Sequence, residues 1–269
     1  MTIGLIIVGD EILSGKREDK HLKKVIELLT ARGLSLGWAR YVGDDRPSIT
    51  AALKDAFAGG DVVFSCGGIG ATPDDHTRQC AAAALGVPLA LHPEAKALIE
   101  QRMRDMAAEQ GQTFDPDRED NRHRLNMGVF PEGAAIIPNP YNKIPGFSVG
   151  NVFFVPGFPV MAWPMIEWVL DTRLADRHGS ERQGERSLIV QGAMEAALTP
   201  LMEAVEARFP GVKVFSLPSV DHPRWGRHIE LGVKGAAASL AEAYDVLRAG
   251  VLAEGGQISA EMVRADAPN

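Results

Sequence analysis

Two rhythms of apolar residues alternate along the first ninety positions. Ile3–Val8 is a short, almost continuous apolar run closed by Gly9, Asp10 and Glu11, as expected of a strand buried on both faces of a parallel sheet. Over 19–32 the pattern changes: Leu22, Val25, Ile26 and Leu29 recur at helical spacing, and Gly33 supplies a stop. The same pair of rhythms then repeats twice. A strand over Leu36–Val42 and a turn at 43–45 precede a helix over 47–57. A strand over 61–66 leads through Gly67, Gly68 and Gly70 to a helix starting at Asp74 or Asp75. Strands alternating with amphipathic helices predict an α/β fold with a mostly parallel sheet covered on both faces.

Further along, 93–110 is helical in pattern, and the polar stretch 112–121 predicts an exposed loop or lid. Two more strands, over 126–137 and 146–155, flank a loop containing Pro138, Asn139 and Pro140. An apolar helix over 160–174 carries Trp163 and Trp168, which suit a core or a subunit interface. Residues 176–186 lack apolar periodicity and predict a linker. Beyond it the pattern is strand 187–191, helix 195–209, strands 212–217 and 228–234, and helix 239–254. The tail after Gly255 is expected to fray or to add an edge strand. The expected organisation is one large α/β domain over 1–175 and a small α+β module, β-α-β-β-α, over 187–269.

Composition narrows the function. The chain has 269 residues, 45% hydrophobic and 23% charged, the balance of an ordinary globular protein. A net charge of -7 argues against a broad nucleic-acid surface, which needs many Lys and Arg to neutralise phosphates. No stretch has the length and apolarity of a membrane span or of a cleaved leader, so a cytoplasmic protein is expected. The two cysteines, Cys66 and Cys80, are expected to be reduced structural thiols. The histidines show no zinc-ligand spacing, and the Arg102, Arg104, Arg118, Arg122 and Arg124 set suits a solvated face.

Candidate chemistry gathers at the ends of the first three strands. Gly67, Gly68 and Gly70 directly follow a buried strand and precede a helix, where backbone amides can approach a phosphate. The carboxyl edge of an open sheet is also where such folds bind ligands. Gly9-Asp10-Glu11 and Gly43-Asp44-Asp45 would lie on the same rim. Carboxylates beside a phosphate loop imply a divalent cation between them. Each aspartate can alternatively cap a helix or end a strand, with Asp74 as the N-cap of the helix after the glycines.

Four motifs occur in order: Gly9-Asp10-Glu11-Ile12-Leu13-Ser14-Gly15, Val42-Gly43-Asp44-Asp45, Gly67-Gly68-Ile69-Gly70 through Asp74-Asp75-His76-Thr77, and Pro156-Gly157-Phe158-Pro159. Together with 131–140 and 145–147 they resemble the molybdopterin-binding MoaB/Mog family, and within it the N-terminal part of CinA-like (competence/damage-inducible) proteins. The likeness covers about residues 1–170. It implies a three-layer α/β/α sandwich, a homo-oligomer (dimer or trimer) and a small nucleotide or pterin ligand. For CinA-like relatives it implies a metal-dependent pyrophosphatase acting on ADP-ribose, and for the Mog branch adenylylation of molybdopterin. A non-catalytic nucleotide- or pterin-binding module is the remaining alternative.

Carried over motif by motif, the resemblance implies catalytic roles for Asp44 and Asp75; Asp10, which matches its Gly-Asp-Glu motif, and Asp74 are expected from the acidic rim itself to contact the divalent ion (Mg2+, Mn2+ or Co2+). The resemblance implies ligand contacts at Gly9, Ser14, Gly67, Gly68, Gly70, Thr72, Asn139, Pro156 and Gly157. Ala71, where many relatives have proline, and Asn142-Lys143, in place of a glycine-containing stretch, depart from the pattern. The chain leaves no room for the deamidase domain of longer CinA-like proteins, so that activity is not expected.

Overall fold

The computed structural model describes residues 2–179 and 183–265. Two compact units emerge: residues up to Thr30 with Leu34–His178, and Ala31–Gly33 with the residues from Gly179 onward.

In the first unit, β1 (Ile3–Val8) leads through the single turn α1 (Asp10–Leu13) to α2 (His21–Thr30). The α2 start is fixed by Asp19, whose carboxylate accepts the amides of His21 and Leu22 at 2.8 and 3.1 Å. Then follow β2 (Leu36–Val42), α3 (Arg46–Gly59), β3 (Val62–Cys66), α4 (Thr77–Leu85), β4 (Leu89–Leu91), α5 (Pro93–Glu109) and α6 (Glu119–Leu125). β5 (Val129–Pro131), β6 (Ala135–Ile137), β7 (Gly146–Val149), β8 (Val152–Val155) and α7 (Pro159–Arg173) complete it. The main sheet runs β2-β1-β3-β8-β7-β6. β2, β1, β3 and β8 are parallel, whereas β7 is antiparallel to both neighbours.

Alternation along each strand sorts the side chains onto two faces. Leu5, Ile7, Phe64, Cys66, Phe153 and Val155 pack with Val25 and Leu29 of α2 and Met165, Ile166 and Val169 of α7. Ile6, Val8, Val63, Val152 and Phe154 face the other way, onto Ile49 and Leu53 of α3 and Cys80 and Ala81 of α4. Helices cover both faces of a mostly parallel sheet, so the expected three-layer α/β/α sandwich is the observed fold. Trp163 and Trp168 pack against the first of these cores.

Four expectations for this unit need correction. The strand expected over 146–155 is a hairpin, because the chain turns at Gly150 and Asn151 and β8 runs back antiparallel beside β7. The helix expected at Asp74 or Asp75 begins only at Thr77, and its N-cap is His76 without a side-chain cap bond. Asp74 and Asp75 belong to the preceding turn. The strand expected over 126–137 is two short strands in different sheets, because Pro131–Gly133 turns the chain: β5 pairs with β4, and β6 joins the main sheet beside β7. The polar lid expected over 112–121 includes the start of α6, and Asn121 is buried, donating to the Asp115 carbonyl at 2.7 Å.

The second unit is a four-stranded antiparallel sheet, β10-β11-β9-β12, built from β9 (Gln183–Gln191), β10 (Lys213–His222), β11 (Gly226–Ala236) and β12 (Gln257–Ala265). α8 (Glu195–Arg208) and α9 (Ala237–Ala253) pack through Leu198, Val205, Leu240, Tyr244 and Leu247 onto Leu188, Val190, Ile229, Leu231 and Val233. The tail after Gly255 thus supplies an edge strand. Of the linker expected over 176–186, residues 180–182 lie outside the described residues, and its last positions already belong to β9.

Candidate functional site

Because β1, β2, β3 and β8 are parallel, their carboxyl ends deliver four loops to one edge of the sheet. Between those loops lies a cleft of about 370 Å³, lined by Gly9, Asp44, the 67–75 segment, Asn139, Pro156 and Gly157.

Its floor is backbone. Gly67 and Gly68 adopt φ of 105° and 69°, the left-handed region where a side chain is strained. A methyl on Gly67 would collide with the Val8 carbonyl, and one on Gly68 with Thr77 Oγ1. The Gly67 amide donates to Val155 O at 3.0 Å, which locks the β3 loop to β8. Thr77, fully buried, pulls the loop carbonyls inward: its Oγ1 donates to Gly67 O at 3.0 Å and its amide to Gly68 O at 2.9 Å. Among the described residues the amides of Gly68, Ile69, Gly70 and Ala71 then meet no protein acceptor. Consecutive free amides of this kind form an anion-binding concavity.

The next turn is held by Asp75. Its Oδ2 accepts the Thr72 amide at 2.8 Å and the Thr72 hydroxyl at 2.5 Å, leaving the other oxygen uncommitted by these bonds. Arg78, 5% exposed, clamps the loop from behind, donating to Gly70 O at 2.6 Å and to the Asn126 carbonyl. Burial lowers its pKa and the Asp75 charge opposes that shift.

Facing the glycines is an acidic group. The Asp10 amide donates to Asp44 Oδ2 at 2.9 Å, and the Asp44 amide donates to Asp10 Oδ1 at 3.2 Å, so the turns after β1 and β2 are reciprocally laced. Burial lifts the Asp44 carboxyl above its usual range; the Asp10 amide bond opposes this, and the Asp10, Glu11 and Asp74 charges add to it. Asp45 turns away and caps α3 through the Ser48 amide at 2.9 Å.

Of the sequence-predicted site residues, Gly9, Asp44, Gly67, Gly68, Gly70, Thr72, Asp74, Asp75, Asn139, Pro156 and Gly157 all line the cleft. Asp10 stands behind Asp44 and outside the lining, and Ser14 is exposed beyond it. Asn139 spends its side chain on structure, accepting from the Tyr141 amide and donating to Asn142 Oδ1 and Ile144 O. Lys143 is paired with Asp105 at 2.6 Å, and the five arginines of 102–124 are engaged in ion pairs outside the cleft. Sequence patterns missed the apolar wall of Met127, Ile144, Phe158 and Met161, the cationic Arg17 at the rim, and the buried Arg78 behind it. Among the described residues, no three His, Cys, Asp or Glu groups converge on a metal position. The crowding of like charge around Asp44 is what a cation would relieve, so the donor set fits a metal shared with a ligand's phosphate rather than one caged by protein alone.

A doubly covered sheet with a cleft over the carboxyl ends of its parallel strands defines the class. Within it, the chain matches over residues 4–176 the family described as "Probable molybdopterin binding domain", and it belongs to that family. A CinA-like protein of Syntrophotalea carbinolica is 33% identical over 220 residues, 78% of this chain and 51% of its own length. A CinA-like protein of Anaeromyxobacter dehalogenans is 35% identical over 175 residues, 63% of this chain and 40% of its own length. The chain therefore spans about half, or less, of the CinA-like relatives it matches. A protein of Pyrobaculum calidifontis is 31% identical over 235 residues, covering 85% of this chain and 86% of its own length. In structure, the protein CinA of Thermoplasma acidophilum, described as of unknown function, superposes with a TM-score of 0.54 at 27% identity, over 64% of this chain and 98% of that one.

Proposed function

We propose that the cleft holds a nucleotide- or pterin-like diphosphate and hydrolyses its phosphoanhydride with a divalent metal, in the manner of an ADP-ribose pyrophosphatase. The observation that carries this proposal is the juxtaposition of free glycine-loop amides and Asp44 across one cleft. Gly68 through Ala71 bind the phosphate oxygens through their N–H groups. Met127, Ile144, Phe158 and Met161 seat the flat ring and exclude water from that end. Asp74, together with phosphate oxygens, would hold a Mg2+, Mn2+ or Co2+ ion. That ion supplies charge neutralisation at phosphorus. Asp44, its proton affinity raised, accepts the proton of the attacking water. Asp75 keeps the Thr72 turn closed and directs one oxygen to the cleft.

The test is turnover of ADP-ribose, FAD and related diphosphates by the purified protein with Mg2+, Mn2+ and Co2+. Hydrolysis that Asp44→Asn lowers by about a hundredfold or more is expected; no turnover on the whole panel with any metal would end the proposal. The family description names a molybdopterin-binding domain; a second reading, adenylylation of that pterin, would instead accumulate an adenylylated pterin from Mg-ATP. A pure binding module would keep its affinity in Asp75→Asn and have no turnover to lose.

A further inference from the structure

Beside the glycine-loop cleft, where α1 leads into α2, lies a second chamber of about 440 Å³, against about 370 Å³ for the cleft itself. The two share Glu11, Arg17, Gly157 and Phe158, so they meet along one ridge. That ridge is fixed from both directions. His21 Nε2 donates to Gly157 O at 2.9 Å, tying the start of α2 to the turn before α7. The Arg17 amide donates to Glu11 O at 2.9 Å and closes the loop after α1.

The groups of the chamber that a guest can reach are of three kinds. Ile12 and Pro159 are half-buried, and Phe158 keeps 56% of its surface exposed. A phenyl ring left open on the border of two cavities is an apolar platform with nothing on it. Around it stand two acids, Glu11 and Glu18, and two bases, Arg17 and Lys20. Among the described residues none of these four side chains makes an ion pair or a hydrogen bond. Charges that could neutralise one another are held apart around a common space.

This mixture is what a sugar requires. A carboxylate only accepts, so Glu11 and Glu18 suit hydroxyl donors, whereas ammonium and guanidinium only donate and suit oxygens that carry lone pairs. The C–H face of a sugar ring lies against an aromatic face, positive edge to negative π-cloud. Acidic side chains hold ribose hydroxyls in other nucleotide sites on open α/β sheets for the same reason. Arg17, bordering both chambers, stands where a phosphate leaving the glycine loop would pass. A nucleotide that ends in free phosphate would stop at the ridge and leave the chamber to water.

We propose that this chamber is a sugar subsite continuous with the cleft, so that the ligand is a diphosphate carrying a sugar on each side. Its bridge crosses Gly157 beneath Arg17, and its second sugar is held by Glu11, Glu18 and Lys20 over Phe158. The subsite rests on the reading that places the phosphates on the glycine loop, and adds that nucleoside diphosphate sugars and dinucleotides are selected over nucleotides ending in phosphate.

The probes are the α,β-methylene analogues of ADP and ADP-ribose, which differ by the second ribose and whose bridges resist hydrolysis. Titrated with Mg2+ into the full chain by calorimetry, the ADP-ribose analogue should bind about tenfold tighter than the ADP analogue. Glu18→Ala and Lys20→Ala, at exposed positions that the fold does not use, should each weaken the ADP-ribose analogue about fivefold and leave the ADP analogue within about twofold. Ile12→Trp, which fills the chamber, should remove the preference altogether; should it fail to fold, the two surface variants decide. Equal affinities in the wild type, or surface variants that weaken both analogues alike or neither, overturn the subsite and leave the glycine-loop reading standing. A protein that binds neither analogue overturns both.

Discussion

At the residue scale the cleft depends on backbone that only glycine can supply. Gly68→Ala must place a methyl in the left-handed region against Thr77 Oγ1, where it has nowhere to go. A stability loss of about 1–3 kcal/mol is expected, with ligand affinity lost as the amides turn away. Gly86, equally left-handed at the end of α4 but with open space around its Cα, is the control: Gly86→Ala should cost about 1 kcal/mol and leave binding intact. Urea unfolding of the pair, with phosphate binding alongside, separates strain from function. Asp44 gives a second residue-scale prediction. Its folded-state pKa is raised, so the native protein binds the proton more tightly than the unfolded chain. Its contribution favours folding below the unfolded value and is lost as pH rises through the folded one. Asp44→Asn, neutral at every pH, should therefore melt higher than the wild type at pH 7 and no higher at pH 3, even as the proposed hydrolysis falls about a hundredfold. A lower melting temperature at pH 7 would show that the charge is stabilised in place. Glu11→Gln, which removes one repelling charge, should move the acid limb of the activity profile to lower pH.

At the element scale the sheet is held on one side by a run of stacked rings. Phe147 on β7 lies 4.6 Å from Phe130 on β5 and 4.4 Å from Phe154 on β8, all three fully buried. This stack joins the one antiparallel strand of the main sheet to its parallel run and brings β5 against the same core. Phe147→Ala should cost about 3–5 kcal/mol, and Phe147→Leu under about 1.5 kcal/mol, as read by urea midpoints. A Leu cost as large as the Ala cost would mean that the ring stacking, and not bulk alone, holds the three strands together. Elements also show what the sequence made legible. β1 and β2 could be bounded to the residue because both end in Gly at an abrupt change from apolar to acidic. The start of α4 could not, since Asp74 and Asp75 look like caps while the Asp75 carboxylate is spent on the Thr72 turn and neither residue caps the helix. The split of 126–137 was hidden because its apolar residues continue across a turn into another sheet. β4, with three residues, is too short for any periodicity to register.

At the scale of the whole molecule, the candidate site was legible where it rests on glycines and acids that break the apolar rhythm at strand ends. It was not legible where a charged residue on a helix turned out to be buried: Arg78 within Thr77–Leu85 has the look of a solvated position, and only the fold reveals the carbonyls it holds. Nor could separate stretches be recognised as one wall before Met127, Ile144 and Met161 were brought together. Every residue lining the cleft falls between Val8 and Met161, inside the first unit. A fragment of residues 1–178 is therefore expected to bind the same ligand with affinity within about threefold of the full chain, a difference under about 1 kcal/mol by calorimetry. Complete loss of binding in a folded fragment would show that the second unit contributes to recognition.

The contact between Gly67 and Val8 has a consequence for divergence. With no space for even a methyl between these two crossings of the chain, the base of the cavity cannot be remodelled by substitution, only destroyed. Whatever new guest a descendant of this protein came to accept would have to be accommodated through the 138–145 segment and the side chains around Met127. Changes of taste should accumulate there, while the seat beneath stays as it is.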